Sequence, residues 1–223
     1  MNYSVLVNSP IFRGIAENDI YSLITDANCR FRTYNEGSVI ALRGEEISSL
    51  MIVLEGEVSG EMADLTGKVI KIEDVRAPMA LAAAFIYGPG NRYPVNVIAK
   101  TNTNLLVIDR KDFMTLMQKD KRVLQNYLSV VCGKALFLSD RLHFMSFRTI
   151  KGKLAGYILS LPPSGTDTVI IDKTQQELAD YFGVARPSLA RTLAGMADEG
   201  LISILKKEIR IADRQALIAL TAE

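Results

Sequence analysis

The chain has 223 residues, 48% of them hydrophobic and 23% charged, with a formal net charge of +1. That length suits two domains, the composition is ordinary for a globular protein, and the near-zero charge leaves a nucleic-acid partner open, since a local basic patch is enough. Cys29 and Cys132 are too few for a disulfide framework, suit a reducing compartment and cannot supply a four-cysteine iron–sulfur site. No apolar run reaches the roughly 18 residues of a membrane span. Asn2, Asn8, Ser9 and Arg13 interrupt the opening apolar residues, unlike a signal peptide. The expectation is a soluble, cytoplasmic protein with no membrane partner.

Residues 10–26 carry Ile11, Phe12, Ile15, Ile20, Leu23 and Ile24 and predict a first helical segment. From Cys29 to Asp109 the period changes. Residues 39–42, 50–54, 57–61, 68–72, 95–98 and 105–108 are short runs rich in β-branched residues, with Gly37, Gly44, Gly56, Gly67 and Gly90 in or near the gaps. This pattern predicts an antiparallel sandwich or barrel. Residues 80–84 break the rhythm and read as a short helix inside the β domain. The helical period returns from Arg110 to Phe144. Phe113, Leu116 and Met117 form one turn, and Val123 to Leu142 then continue for about five turns without proline. Leu124, Val131 and Leu138 stand seven apart, as do Leu128, Ala135 and Leu142. With Tyr127 they predict a two-stranded dimer seam. The alternative is a helix lying across its own sheet.

Met145-Ser146-Phe147 separates this helix from an amphipathic helix over Thr149 to Leu161, which Pro162-Pro163-Ser164-Gly165 ends. A strand follows at 168–171. Residues 174–195 then write two helices with a tight break. Thr174 and Glu177 form a capping box, Leu178, Ala179 and Phe182 give one apolar face, and Gly183 stops the helix. Pro187 is tolerated only in a first turn, so a second helix begins near Ala185. It carries Leu189, Leu193 and Met196 inward and shows Arg186, Ser188 and Arg191 outward, with no acid between Arg186 and Met196. Such a pair is a helix-turn-helix, whose second helix enters the major groove of DNA. Residues 201–205 and 208–211 alternate around Lys206-Lys207 as a wing, and Arg214 to Leu220 is a last short helix.

The order of a β-rich domain, a long helix and a winged helix resembles the CRP/FNR superfamily of bacterial transcription regulators, over nearly the whole chain. The resemblance is specific at Ser9-Pro10-Ile11-Phe12 with Asp19-Ile20, and at Gly37, Gly44 and Leu54-Glu55-Gly56-Glu57-Val58. It is specific again at residues 106–113, 149–155, 174–179 and 183–191. It implies an α+β fold. Residues 1–118 would form an antiparallel β-roll sensor domain, cupin-like and similar to cyclic-nucleotide-binding domains. Residues 119–145 would form a dimerisation helix, and residues 146–223 a winged helix-turn-helix. It also implies a homodimer on near-palindromic double-stranded DNA, with recognition helices ~34 Å apart. RNA polymerase is a further partner, whose contact surface no pattern locates.

Arg186 and Arg191 are the candidates for base contact, since a guanidinium matches guanine O6 and N7, and Ser188 reaches a base or a phosphate. The family often carries a glutamate where Pro187 stands, so the family's usual operator does not follow here. Thr149, Lys151, Lys153, Thr174, Lys206 and Lys207 are candidate phosphate contacts, each lysine having a solvated side chain as its alternative. Cyclic-nucleotide-binding members hold the ribose with a glutamate and the phosphate with an Arg-Ser pair. Here the glutamate is replaced by alanine, Tyr93-Pro94 stands in place of Arg-Ser, Arg92 is one position off, and Ala135 and Leu136 replace the family's polar helix contacts. Cyclic AMP is therefore not expected to bind through the usual contacts. Met79, Ala83, Phe85, Tyr87, Arg92, Tyr93, Ala135 and Leu136 would line an apolar effector pocket suited to haem, a hydrophobic metabolite or nothing. His143, the only histidine, is an iron ligand, a phosphate neighbour or a plain helix C-terminal cation. Met51, Met79 and Met145 are iron donors or core filling, and both cysteines read as buried small hydrophobes.

Three functions remain: a ligand- or redox-gated transcription regulator, haem-based sensing of nitric oxide or oxygen included; an enzyme with an accessory DNA-binding domain; and a ligand-independent DNA-binding protein. A single histidine, with no glycine-rich phosphate loop or nucleophile–base motif, argues against the enzyme.

Overall fold

The computed structural model describes residues 3–63 and 69–221, except the side chains of Tyr3, Ala63, Met145 and Ser146. Gly67, Lys68 and the Met145 side chain, each given a role above, lie outside that description. The chain forms two compact units, residues 1–134 and 135–223.

The first unit opens with 3-10 turns at Tyr3–Asn8 and Pro10–Phe12, followed by helix α1, Glu17–Asp26. The single helical segment expected over 10–26 is broken because Gly14 has φ +73° and Ala16 is extended ahead of α1. Ile11, Phe12, Ile15, Ile20 and Ile24 are buried all the same. Eight strands follow: β1 Cys29–Tyr34, β2 Val39–Ala41, β3 Ser49–Glu55, β4 Glu57–Ala63, β5 Val69–Arg76, β6 Ala80–Leu81, β7 Asn96–Ala99 and β8 Thr103–Asp109. They form two four-stranded antiparallel sheets, β1-β8-β3-β6 and β2-β7-β4-β5. Leu50, Ile52, Val53, Val58, Val97, Leu105, Leu106, Val107 and Ile108 fill the core. The tight β3–β4 connection needs Gly56. Its φ is +90°, and a Cβ there would stand 2.5 Å from the Asn102 carbonyl oxygen.

Two expectations change in this unit. Strand β1 was hidden in the sequence because its exposed positions, Arg30, Arg32 and Thr33, interrupt the apolar run; it stands at the sheet edge and pairs with β8. Residues 80–84 are not a helix: β6 pairs with β3, and a 3-10 turn, Ala83–Phe85, follows Ala82 in left-handed backbone. Helix α2, Arg110–Lys119, ends at the extended Asp120, and helix α3 runs over Lys121–Ser146.

In the second unit the end of α3 packs with helix α4, Ile150–Ser160, strands β9 Pro163–Gly165 and β10 Thr168–Ile170, helices α5 Gln175–Phe182 and α6 Arg186–Asp198, strands β11 Ile202–Leu205 and β12 Glu208–Ile211, and helix α7 Arg214–Leu220. The sheet order is β11-β12-β10-β9. Residues 163–165, read above only as a helix stop, form the edge strand β9, where a missing N–H is tolerated. Phe144, Leu154, Ile158, Leu178, Phe182, Leu189, Leu193, Met196, Ile209 and Leu217 share one core.

Candidate nucleic-acid interface

The reading element is built from local chemistry. Thr174 Oγ1 accepts from the Glu177 N–H at 3.2 Å, and the Glu177 carboxylate accepts from the Thr174 N–H at 2.7 Å. This closes the capping box at the start of α5. The same carboxyl is held below the usual glutamate range, first by that backbone N–H and then by the Thr174 hydroxyl. Gly183 ends α5 with φ +66°, a left-handed conformation that costs glycine little. Ala185 is extended and Pro187 falls in the first turn of α6. Leu189 and Met196 are fully buried and Leu193 nearly so. Arg186, Pro187 and Arg191 are exposed, and Ser188 is half-buried. Arg191 Nε donates to the Pro187 carbonyl at 3.3 Å, and its guanidinium reaches Ser188 Oγ at 3.5 Å. Neither arginine makes an ion pair among the described residues.

The candidate phosphate contacts divide. Thr149 caps α4, its Oγ1 accepting from the Gly152 N–H at 2.9 Å, and the Thr174 hydroxyl donates to Glu177 at 2.8 Å. Lys151 is ion-paired with Glu199. Lys153 Nζ donates to the Phe182 carbonyl at 3.2 Å, at the end of α5. These four side chains already have partners within the unit. Lys206 and Lys207 are exposed at the tip between β11 and β12, and neither makes an ion pair among the described residues. Arg148, Lys173 and Arg210 are further exposed cations of this unit that sequence reasoning passed over. Their positions flanking the helix starts and the wing were the available signal.

The residues expected to line an effector pocket differ in burial. Ala83 and Tyr93 are core residues of the first unit, while Met79 and Phe85 are exposed at 42% and 44%. Tyr87 is half-buried, donates to the Arg110 carbonyl at 2.8 Å, and packs with Phe113 and Tyr127. Arg92 is exposed and donates to the Gly44 carbonyl at 2.6 Å. Ala135 and Leu136 belong to the second unit and are exposed. A groove of about 570 Å³ lies elsewhere in the first unit, lined by Val5, Phe31, Arg32, Thr33, Leu54, Glu55 and Asn104.

The seam residues of α3 also separate. Leu124, Leu128, Leu138 and Leu142 are 38%, 50%, 57% and 69% exposed. Ala135 is exposed as well. Tyr127 departs from the expectation. It is buried, donates to the Ala83 carbonyl at 3.2 Å and packs edge-on to Tyr87 and Phe113, so it serves its own core. Val131 is half-buried against the same core.

The described iron-donor candidates do not assemble within either unit, the Met145 side chain lying outside the described residues. Met51 accepts from the Tyr93 hydroxyl at 4.0 Å, Met79 is exposed, and His143 is an exposed residue of α3 in the second unit, edge-on to Phe144 and Phe147. No group of three or more His, Cys, Asp or Glu side chains placed to hold a metal ion occurs among the described residues. Cys132 is exposed on α3, not buried as expected. Cys29 is half-buried, and burial pushes its thiol up to about 11. No helix among the described residues is long and apolar enough to cross a membrane.

A β-sheet unit, a long helix, and a winged helix-turn-helix presenting arginines without ion pairs among the described residues define a two-part DNA-binding regulator. The comparisons with known proteins make the assignment specific. The Crp-like helix-turn-helix domain family matches residues 152–220, and the cyclic nucleotide-binding domain family matches residues 31–120. The chain is 25% identical over 218 residues to the probable transcriptional regulator flp of Lacticaseibacillus casei, covering 96% of this chain and 97% of that protein. It is 24% identical over 188 residues to the cAMP-activated global transcriptional regulator CRP of Salmonella typhimurium, covering 82% of this chain and 90% of the relative. The crystal structure of the Thermus thermophilus catabolite activator protein shares the fold, with a TM-score of 0.56 at 20% identity, over 96% of this chain and 98% of that one. The chain belongs to the CRP/FNR superfamily and is a DNA-binding transcription regulator of that type.

Proposed function

We propose that the protein works as a homodimer that reads a near-palindromic DNA site with α6 and is gated by a small-molecule, redox or gas signal other than cyclic AMP. The observation that carries the DNA reading is the exposed face of α6 from Arg186 to Met196, which holds no acid, with Arg186 and Arg191 free of ion pairs among the described residues. Ser188 stands between them, and Lys206 and Lys207 supply phosphate attraction from the wing. The dimer reading rests on the exposed leucines of α3. Burying one fully exposed leucine stabilises by about 1.5–3 kcal/mol; these four are already partly covered, and their remaining exposure on two protomers contributes a free energy of the same order as the cost of association. Gating requires an effector with different affinities for two arrangements of the dimer.

Relatives of this chain are named as cAMP-activated, but the polar fork that such a ligand needs is missing. Tyr93 is buried in the core, and Arg92 is engaged with the Gly44 carbonyl. Titrating the protein with cyclic AMP in a calorimeter should give a flat isotherm; saturable heat would overturn this part of the proposal. Leu138→Glu combined with Leu142→Glu should yield a monomer by sedimentation, with operator affinity sharply reduced. A variant that stays dimeric overturns the seam.

A further inference from the structure

Once Arg186, Ser188 and Arg191 are assigned to base edges or phosphates, Pro187 and Ala190 are the apolar side chains that reach solvent in the first turn and a half of α6. Pro187 is exposed, and Ala190, three residues on, is half-buried. At 3.6 residues per turn, Pro187, Ala190, Arg191 and Ala194 fall within an arc of about 100°, turned away from the buried Leu189, Leu193 and Met196. Pro187 and Ala190 present only carbon, so neither can accept from cytosine N4 or adenine N6. The N-terminal residues of a recognition helix are those that meet base edges. The apolar feature of a major-groove base edge is the C5-methyl group of thymine. A methyl group against these side chains leaves water without leaving a polar group unpaired, whereas an exocyclic amine would lose its hydrogen-bond partner.

We propose that Pro187 and Ala190 are specificity-determining residues that read thymine C5-methyl groups beside the bases held by Arg186 and Arg191. This rests on the DNA-reading function proposed above and adds the identity of neighbouring bases. Helix propensity and first-turn geometry also favour alanine and proline at these positions, so the test removes the methyl from the DNA rather than relying on the protein alone.

The full-length protein is first used to select its site from random duplexes. Each thymine of the half-site is then replaced singly by deoxyuridine, which keeps base pairing and deletes only the methyl. Binding is read by fluorescence anisotropy. At one or two positions per half-site, uracil should weaken binding about 4-fold, the transfer free energy of one methyl-sized group. In Ala190→Ser or Pro187→Ser, with helicity verified by circular dichroism, the uracil penalty at one of those positions should vanish. Equal affinity for thymine and uracil throughout, while Arg186→Ala still weakens binding, overturns the methyl reading and leaves the DNA function standing. A uracil penalty that persists unchanged in both variants also overturns it, because the methyl is then read by another residue. Failure to select any site overturns the DNA-reading proposal and this inference with it.

Discussion

Replacing Phe144 with alanine removes a ring shared by α3, α4 and α5, and so tests whether the end of α3 is part of the reader's core. Phe144 is 5% exposed. Its ring centroid lies 5.4 Å from Phe182, 5.5 Å from Tyr181 and 6.0 Å from both Tyr157 and Phe147. Truncating a buried phenylalanine to alanine costs about 3–5 kcal/mol, the lost transfer free energy plus the cavity left behind. The surrounding rings cannot close that cavity freely. Tyr157, Tyr181 and Phe182 already pack on one another at 5.7–6.0 Å, which places the expected cost in the upper part of the range. Phe144→Leu keeps most of the volume and should cost about 1 kcal/mol, chiefly the ring–ring preference. Against a total stability of about 5–15 kcal/mol, the alanine variant should lower the midpoint of the second unit by on the order of 25 °C. Thermal unfolding of the full chain, followed by near-ultraviolet circular dichroism of its tyrosines, reads this directly, since the chain contains no tryptophan. A loss below about 1 kcal/mol for alanine would refute the shared core, because no well-packed ring is that cheap to remove.

Arg186→Ala and Arg191→Ala should each cost about 1–3 kcal/mol of specific binding and little of non-specific binding. Anisotropy with matched and scrambled duplexes separates the two, and equal losses on both would reassign the arginines to phosphates. Lys206→Ala and Lys207→Ala should each reduce the slope of log K against log salt by about 1, whereas Lys151→Ala, whose ammonium is occupied by Glu199, should change it less. Lys153→Ala should instead lower stability, since its ammonium holds the Phe182 carbonyl. Glu177 has a depressed pKa in the folded chain, so its contribution is complete above the ordinary glutamate value and lost as pH falls through the folded value. Glu177→Gln keeps an acceptor for the capping box but cannot titrate, so the acid side of the stability profile should flatten. A profile as steep as wild type would deny Glu177 that role.

The reading helices were legible because every signal is local. Thr174 and Glu177 are three residues apart, Gly183 must take left-handed backbone, and Pro187 must fall in a first turn. None of these depends on what packs against them. Strand β1 was not legible, because Arg30 and Arg32 are tolerated on the solvent-facing side of the sheet, and which side meets solvent is a property of the packed sheet. Tyr127 and Leu128 illustrate the same limit on α3. Both were expected on the seam, yet one is buried against Ala83 and the other is half exposed.

Sequence alone therefore determined the class of fold, the order of its parts and the position of the DNA-reading helix, because capping, turn chemistry and periodicity act over a few residues. Tertiary structure decided which members of each pattern remain available to a partner. Lys151 and Lys153 read like Lys206 and Lys207 in a string of letters, but Glu199 and the Phe182 carbonyl engage the first two, and the wing tip leaves the others in solvent. The physical reason is that a charge or an apolar face is neutralised by whatever the fold brings within a few ångströms, and sequence spacing does not encode that distance.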